Sequence, residues 1–447
     1  MRTLVLSSIL ALSALAGPAL RPASATLRPV VSWGAAAVQA CQQVSSGPCT
    51  ISTITKRSLS GDVSEYSFTL KIGSGANDVI GLHRVVKDAG ILPPPNIAPA
   101  FFVHGDVLGF DGAFVASAAS ASVPDSHSLP VFLAERGIDV WGIDLRWALV
   151  PASTTDFTFM QGWGLAMQAS DVGIGLAVAQ GARGSSQPMN LLGWSRGGQV
   201  GYAYLSFEAA LPPAQRRVGG FIPVDIYART DDPTLRGYAC TRQAARETEI
   251  GLGHYADGTG AFAAGLGTLA VSNPNDPSPN IPNLTNAQAA LLVGAATFVI
   301  LQPTEPTPGY HWTGGTFDAN GLPNGLSFTS QSYFFDFLKG ASPFEPNKLI
   351  LDAEAMMCEE DDTPFLDNLA DVTVPVLYVS ADGGFGTFGN YSLTLLGSSD
   401  VETLNVDLLP PAARVLDFGH ADLVLAGDAD TLAWSPIYDW MTGIRQQ

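Results

Sequence analysis

The pentapeptide at 193–197, Gly-Trp-Ser-Arg-Gly, constrains the fold of this chain more than any other segment. It directly follows the apolar run 189–192. A Gly-x-Ser-x-Gly motif in this context is typical of a strand that turns sharply into a helix and presents its serine, here Ser195, at the tip. Glycines suit both flanks because larger side chains would collide in so tight a turn. The alternative is a glycine turn that contains an incidental serine.

Residues 1–25 have the features of a secretory signal peptide. A basic residue precedes the apolar stretch 4–15, and the Ala-Ser-Ala sequence at 23–25 is the small-x-small pattern after which signal peptidase cuts. We therefore expect cleavage near Ala25 and a mature protein that is secreted or periplasmic. An uncleaved membrane anchor is the alternative.

The charge balance limits the possible partners of the mature protein. The leader contains Arg2, Arg21 and no acid, so its removal leaves an excess of 21 acidic residues, from the full chain's excess of 19. Such a surface repels nucleic acid, and we expect no nucleic-acid partner. The longest other apolar stretch, 287–301, is interrupted by polar residues and too short to span a bilayer. We therefore expect no stable membrane insertion.

The four cysteines fit two disulfides in an exported protein. Three pairings are possible. We favour Cys41–Cys49, which closes a short loop, together with Cys240–Cys358, which joins the two ends of a long inserted segment. Metal binding is the weaker alternative because the sequence has no Cys-x-x-Cys pattern and no neighbouring histidine pairs.

Strand-like and helix-like segments alternate from about residue 61 onward. Repeated alternation with apolar strands predicts an α/β fold, with a mostly parallel central sheet and helices on both faces. The first two strands form an antiparallel pair at the sheet edge. The predicted strands are 63–70, 79–87, 98–103, 138–144, 189–192, 218–225, 374–382 and 413–418.

A long proline-rich stretch separates the last two predicted strands from the others. Its apolar segments, 262–271 and 287–301, need a surface to bury against, so we expect a cap inserted into the core rather than decorated surface loops. This reading divides the chain into a first core part at 26–226, a cap or lid at 227–372 and a second core part at 373–447. Residues 26–60 form an amino-terminal extension of the first part.

The chain resembles the alpha/beta-hydrolase superfamily, and within it the exported serine esterases and lipases. The resemblance runs from about residue 62 to the end, outside the cap. It rests on four features in the family's order: His104-Gly105 after a strand, the 193–197 motif, Asp382 after a late strand, and His420 near the end. It implies a Ser-His-Asp triad, an oxyanion hole made of two amides, and a substrate pocket beneath the cap.

The resemblance assigns Ser195 as nucleophile, His420 as general base and Asp382 as the carboxylate that orients the histidine. Serine needs a base to take its proton, and the carboxylate fixes the tautomer of that base. Asp225 is the alternative acid, since some relatives place the acid after the preceding strand. Asp417 and Asp422 lie so close to His420 in sequence that we expect them to be structural.

The oxyanion hole is predicted to use the backbone N–H groups of Arg196 and Asp106, with Val107 as the next candidate for the second donor. The sequence after His104-Gly105 departs from the glycine-rich version of this loop in some esterases. His104 is expected to be structural. We assign no catalytic role to the Arg196 side chain, which is expected to pair with a local acid.

The sequence thus predicts a secreted serine hydrolase that cleaves carboxylic esters through an acyl-enzyme. Its substrate would be a small-molecule or polymeric ester with an apolar part, and the chemistry requires no metal or organic cofactor. Two alternatives keep the triad: a peptidase or amidase, and an acyltransferase. A third is a non-catalytic binding protein on the hydrolase scaffold. A serine nucleophile argues against the epoxide-hydrolase and dehalogenase branches, which use aspartate.

Overall fold

The computed structural model describes residues 30–45, 47–88, 97–302, 305–359 and 362–443. The predicted signal peptide and its cleavage site lie outside the described residues. The strands are β1 (Thr50–Ile51), β2 (Thr55–Ser60), β3 (Val63–Lys71), β4 (Val79–Lys87), β5 (Ala100–Val103), β6 (Val140–Asp144), β7 (Met189–Trp194), β8 (Val218–Val224), β9 (Ala256–Asp257), β10 (Gly315–Phe317), β11 (Pro323–Leu326), β12 (Glu345–Pro346), β13 (Val376–Ala381) and β14 (Val401–Val406).

Helices precede, separate and follow these strands. They are α1 (Val30–Val44), α2 (Phe110–Phe114), α3 (Leu129–Glu135), α4 (Leu165–Arg183), α5 (Arg196–Ala209), α6 (Pro233–Gly251), α7 (Thr259–Ser272), α8 (Asn286–Ala295), α9 (Thr297–Leu301), α10 (Gln331–Lys339), α11 (Asn347–Cys358), α12 (Asn390–Leu393), α13 (Asp422–Leu425) and α14 (Ser435–Thr442). Among the described helices, none is both long and apolar enough to cross a bilayer.

Ten strands form one mixed sheet in the order β1-β3-β4-β6-β5-β7-β8-β13-β14, and β2 pairs with β3. The pairs from β6 through β5, β7, β8 and β13 to β14 are parallel. The pairs β3–β4 and β4–β6 are antiparallel. The sequence prediction of a mostly parallel sheet with an antiparallel pair towards one edge is therefore confirmed.

Successive residues of the central strands point to opposite faces of the sheet, and each face carries its own core. Leu191 of β7 packs into the core beneath α1, α4 and α5, whereas its neighbour Leu192 packs into the core beneath α3 and α14. In β5, Phe101 and Phe102 divide between the same two cores. Helices on both faces explain why these two strands are buried at every position.

The last strand lies upstream of where the sequence predicts it. Residues 413–418 do not form a strand; Pro411–Leu416 is a 3-10 helix, and β14 is the last strand of the sheet. Two prolines at 410–411 break the extended pattern, and Val415 remains exposed. The sequence analysis missed β14 because its first residues are exposed at the sheet edge, which weakens the apolar signal.

Between β8 and β13 the chain forms helices α6 to α11 and two small two-stranded sheets. Both apolar segments predicted there are helical, as α7 and as α8 followed by α9. Both predicted disulfides are confirmed: Cys240–Cys358 joins α6 to the end of α11, and Cys41–Cys49 links the end region of α1 to the segment before β1. The Cys240–Cys358 disulfide thus joins the first and the last helix of the segment between β8 and β13.

A buried histidine joins three strands of the sheet. His83 on β4 faces Glu65 of β3 through Nδ1 at 2.6 Å and Asp144 of β6 through Nε2 at 3.0 Å. Burial alone would lower the pKa of His83, but Asp144 and Glu65 together raise it well above its usual value. Burial alone would raise the pKa values of Glu65 and Asp144, but His83, together with Arg57 at Glu65, lowers both to about 2. A carboxylate oxygen at each ring nitrogen calls for both N–H groups, so His83 acts as a positively charged clamp between β3 and β6.

Replacing His83 with Gln is expected to lower the free energy of unfolding by about 3 kcal/mol, since it leaves the partly buried Asp144 without its cation and Glu65 with Arg57 alone. The raised pKa adds a pH dependence: the contribution of His83 is complete below the unfolded-state pKa of about 6.5 and declines as pH rises through the folded-state value. Urea unfolding from about pH 6.5 upward should show wild-type stability falling towards that of the variant. A constant difference across that range would contradict the clamp.

Candidate active site

Ser195 occupies a strained turn between β7 and α5. Its backbone has φ +56° and ψ −130°, a region that L-residues rarely adopt. The flanking glycines are required by close contacts, since a Cβ on Gly193 would lie 2.3 Å from the Gly197 carbonyl oxygen. A Cβ on Gly197 would lie 2.1 Å from the carbonyl oxygen of Val103. The strand, sharp turn and helix predicted around the serine are confirmed.

His420 is paired with Asp225. Its Nδ1–H donates to Oδ2 of Asp225 at 2.7 Å, and both side chains are buried. Asp225 directly follows β8 and has a positive φ of 47°. The backbone amides of Phe385 and Gly386 also donate to its carboxylate, each at 3.1 Å. Asp225 therefore has the position and the donors of a carboxylate that holds a histidine in one orientation.

The prediction that Asp382 orients His420 is wrong. Asp382 follows β13, as expected, but its carboxylate pairs with Arg414 at 3.2 Å and is partly exposed. The glycine-rich run 383–386 after it bends around Asp225 instead, so closely that a Cβ on Gly384 would lie 1.9 Å from Asp225 Oδ2. The alternative acid of the sequence analysis, Asp225, is the one that the fold brings to the histidine.

The loop that carries His420 is fixed by backbone bonds and by its neighbouring aspartates. The amide of His420 donates to the carbonyl of His311, in the segment between β8 and β13. Asp422 accepts the amides of Gly314 and Gly419, and Asp417 accepts that of Phe418. The expectation that Asp417 and Asp422 are structural agrees with these contacts.

Aromatic rings surround the imidazole of His420. The Trp194 ring stacks on it with centroids 5.0 Å apart and an interplanar angle of 22°. Tyr310 and Phe385 lie at 5.4 and 5.6 Å. His420 is only 3% exposed. Sequence reasoning missed these three rings because their approach to His420 depends on contacts between distant parts of the chain.

The loop after β5 passes directly over the serine. A Cβ on Gly105 would lie 2.8 Å from Cβ of Ser195, and Val107 has a positive φ of 56°. His104 is fully buried, donates from Nδ1 to the Gly105 carbonyl and accepts the Leu145 amide at Nε2. Burial lowers its pKa, which favours the neutral ring these bonds require. These contacts agree with a structural role for His104.

The two residues predicted to supply the oxyanion amides are joined through their side chains. Arg196 opens α5 immediately after Ser195, and its guanidinium donates to both carboxylate oxygens of Asp106 at 2.9 and 3.0 Å. The expected pairing of Arg196 with a local acid is confirmed. Because a bidentate pair fixes both distance and orientation, it holds the loop after β5 against the start of α5.

A cavity of about 320 Å³ opens beside these residues, and Ser195, His420, Asp106 and Arg196 all contribute to its lining. Helices α7, α8 and α9 supply an apolar lining, which includes Phe262, Val293, Ile300 and Leu301. The other part of the lining, here termed the charged cluster, consists of Asp106, Arg196, Arg242, Arg246, Asp257, Glu345 and Glu354. The cavity therefore offers a reacting ligand both apolar and hydrogen-bonding surface.

Among the described residues, two groups have metal-ligating atoms close together. One consists of Glu65, His83 and Asp111, and the other of Asp382, Asp407 and Asp417. Neither group contributes to the lining of the cavity. In the first, His83 is already paired with carboxylates. In the second, Asp382 is paired with Arg414.

The fold is similar to that of solved alpha/beta hydrolases. A protein from Sulfolobus solfataricus with a provisional lipase assignment superposes with a TM-score of 0.59 and 18% identity, over 88% of this chain and 99% of its own. A thermophilic esterase from Thermogutta terrifontis gives a TM-score of 0.41 and 13% identity, over 88% and 100% of the two chains. No protein-family model matches the sequence, and comparison with curated proteins finds no similar sequence. At 18% identity, the similarity to the Sulfolobus solfataricus protein shows that the two chains share a fold.

Proposed function

We propose that this chain, which has the alpha/beta-hydrolase fold, is an exported serine hydrolase that cleaves carboxylic esters through an acyl-enzyme. The observation that carries the proposal is the buried Asp225–His420 pair, whose histidine lines the same cavity as Ser195 at its strained turn. A histidine held by a carboxylate, beside a serine on the same cavity, supports the set of nucleophile, base and orienting carboxylate that serine hydrolases on several folds share. Two disulfides fit export to an oxidising compartment.

In the proposed reaction Ser195 Oγ attacks the ester carbonyl while Nε2 of His420 takes its proton. Asp225 accepts the Nδ1–H bond, which keeps Nε2 free as the base and stabilises the imidazolium that forms. His420 then gives the proton to the departing alcohol, leaving the acyl group on Ser195. Water attacks this acyl-enzyme with His420 again as the base, and the acid product leaves.

The tetrahedral intermediates carry a negative oxygen that needs fixed donors. We assign the N–H of Arg196 as one donor, and the N–H of Asp106 as the other, with Val107 as the alternative. Each such donor contributes about 3–4 kcal/mol in enzymes of known mechanism. The Arg196–Asp106 ion pair supports this assignment because it fixes the positions of the two residues relative to each other.

The apolar lining supports an ester with an apolar part, and the first-named structural neighbour has a provisional lipase assignment. We infer that the segment 227–372 acts as the cap, since α7, α8 and α9 cover the cavity from one side. Aromatic rings pack around His420 and leave it 3% exposed, and this apolar surrounding strengthens its charge interactions.

Labelling with a fluorophosphonate tests the proposal. Purified protein is assayed on chromogenic esters of short, medium and long acyl chains, and labelled samples are mapped by mass spectrometry. We expect loss of hydrolysis in proportion to modification of Ser195. Ser186→Ala, at an exposed serine before β7, is the control that should label and hydrolyse normally. An amide analogue and an added alcohol acceptor test the peptidase and acyltransferase alternatives. Hydrolysis by fully labelled protein would contradict the proposal.

A further inference from the structure

Glu345 is a buried carboxyl that the proposed reaction does not use. It lies on β12, is 3% exposed, and lines the cavity together with Ser195 and His420. Among the described residues, its Oε1 has no hydrogen-bond partner. A buried polar atom that faces a cavity and has no partner in the protein is expected to meet one in a ligand.

The position of Glu345 is fixed close to the nucleophile. The amide of Ser342, shortly before β12, donates to the carbonyl of Val107 at 2.7 Å. This bond fastens the segment that leads into β12 to the loop that passes over Ser195. Glu345 also neighbours Asp106 of that loop. A group bound by Glu345 therefore lies near the ester bond.

The charged cluster already balances its arginines without Glu345. Arg196 pairs with Asp106 at 2.9 Å, Arg242 with Glu354 at 2.9 Å, and Arg246 with Asp257 at 2.7 Å. Glu345 is the fourth carboxyl beside three guanidiniums. Burial, reinforced by the charge of Asp106, raises the pKa of Glu345 well above its usual value. A raised pKa favours the neutral carboxyl, which suits an uncharged group rather than a cation.

We propose that Glu345 binds a hydroxyl group of the substrate, so that the ester this enzyme favours carries an alkyl hydroxyl near the bond that is cleaved. The inference rests on the proposed function and specifies its substrate class. A neutral carboxyl both donates and accepts hydrogen bonds, as does a hydroxyl. A substrate without the hydroxyl would leave Oε1 of Glu345 without a partner, and sites built around a polar partner discriminate strongly against analogues that lack it.

The test compares three butyrate-type esters at equal concentration: propyl butyrate, glycerol 1-monobutyrate and propyl 3-hydroxybutyrate. Glycerol 1-monobutyrate carries hydroxyls on the alcohol half, and propyl 3-hydroxybutyrate carries one on the acyl half. Comparing the two shows which half of the ester supplies the hydroxyl. We expect kcat/KM for one of the two hydroxylated esters to exceed that for propyl butyrate by about 10- to 100-fold, which is the effect expected for loss of one buried hydrogen bond.

Two variants separate binding from structure. Glu345→Met removes the polar group at similar volume and should bring the ratio of kcat/KM values to within about twofold of one. Glu345→Gln keeps a neutral donor and acceptor and should retain most of the preference. Thermal unfolding of both shows whether they fold. If Glu345→Met does not fold, Glu345→Leu replaces it with the same expected ratio of kcat/KM values.

Ser195→Ala separates failure of this inference from failure of the proposed function. Turnover that depends on Ser195 but shows no preference for either hydroxylated ester would overturn the inference alone. A preference that survives Glu345→Met would do the same. Absence of Ser195-dependent turnover on all three esters would overturn the proposed function, and the inference with it.

Discussion

Asp225→Asn is expected to lower kcat on the best ester by about 10⁴-fold, the cost of replacing a triad aspartate by its amide. The amide would present its N–H₂ or its weaker carbonyl to Nδ1 of His420, so the ring would lose the charge that fixes its tautomer. KM should change little, because Asp225 is buried behind His420 and does not line the cavity. Steady-state kinetics at saturating ester measures the effect.

Asp382→Asn is the matched control for this prediction. It changes the same residue type at the end of β13, the strand beside β8 in the sheet. Its ion pair with Arg414 is partly exposed, so the substitution should cost at most about 1 kcal/mol of stability. Activity should stay within about threefold of wild type. Near-ultraviolet circular dichroism checks that both variants are folded. The reverse result, a severe loss at Asp382 and tolerance at Asp225, would reject the acid assigned from the structure.

The two aspartates also show where sequence reasoning ends. Both follow apolar strands, and the resemblance to the family favoured Asp382, with Asp225 as the alternative partner of His420. What separates them is a contact across 160 residues: the amides of Phe385 and Gly386 close on Asp225, and this uses the glycine run that follows Asp382. The glycine run itself can be read from the sequence. Its contact with the carboxylate of Asp225 cannot, because the two segments meet only in the folded chain.

Local signals predicted the parts of the site that are built locally. The turn at Ser195 requires glycines within two residues, so the sequence around it is sufficient to predict it. Strand β14 was missed because an exposed edge strand carries little apolar pattern. Glu345 was missed for a different reason. Its position on the cavity depends on β9, on the loop after β5 and on helices α7 to α9, which are all distant from it in sequence.

The second large effect concerns the nucleophile and its dependence on the pair behind it. Ser195→Ala is expected to lower kcat by about 10⁶-fold, leaving the activity that binding and the oxyanion amides supply without a nucleophile. The thermal unfolding temperature should change little. The turn at Ser195, with φ +56°, depends on the space left by Gly193 and Gly197 and not on the serine hydroxyl.

Combining Ser195→Ala with Asp225→Asn gives the sharper form of this prediction. If Asp225 acts only by preparing His420 to take the proton of Ser195, it has no task once the hydroxyl is gone. The double variant should then be no slower than Ser195→Ala alone, whereas independent contributions would multiply to about 10¹⁰-fold. Single-turnover assays with active-site titration exclude contaminating wild-type enzyme. A further loss in the double variant would mean that Asp225 supports catalysis by a route other than His420 and Ser195.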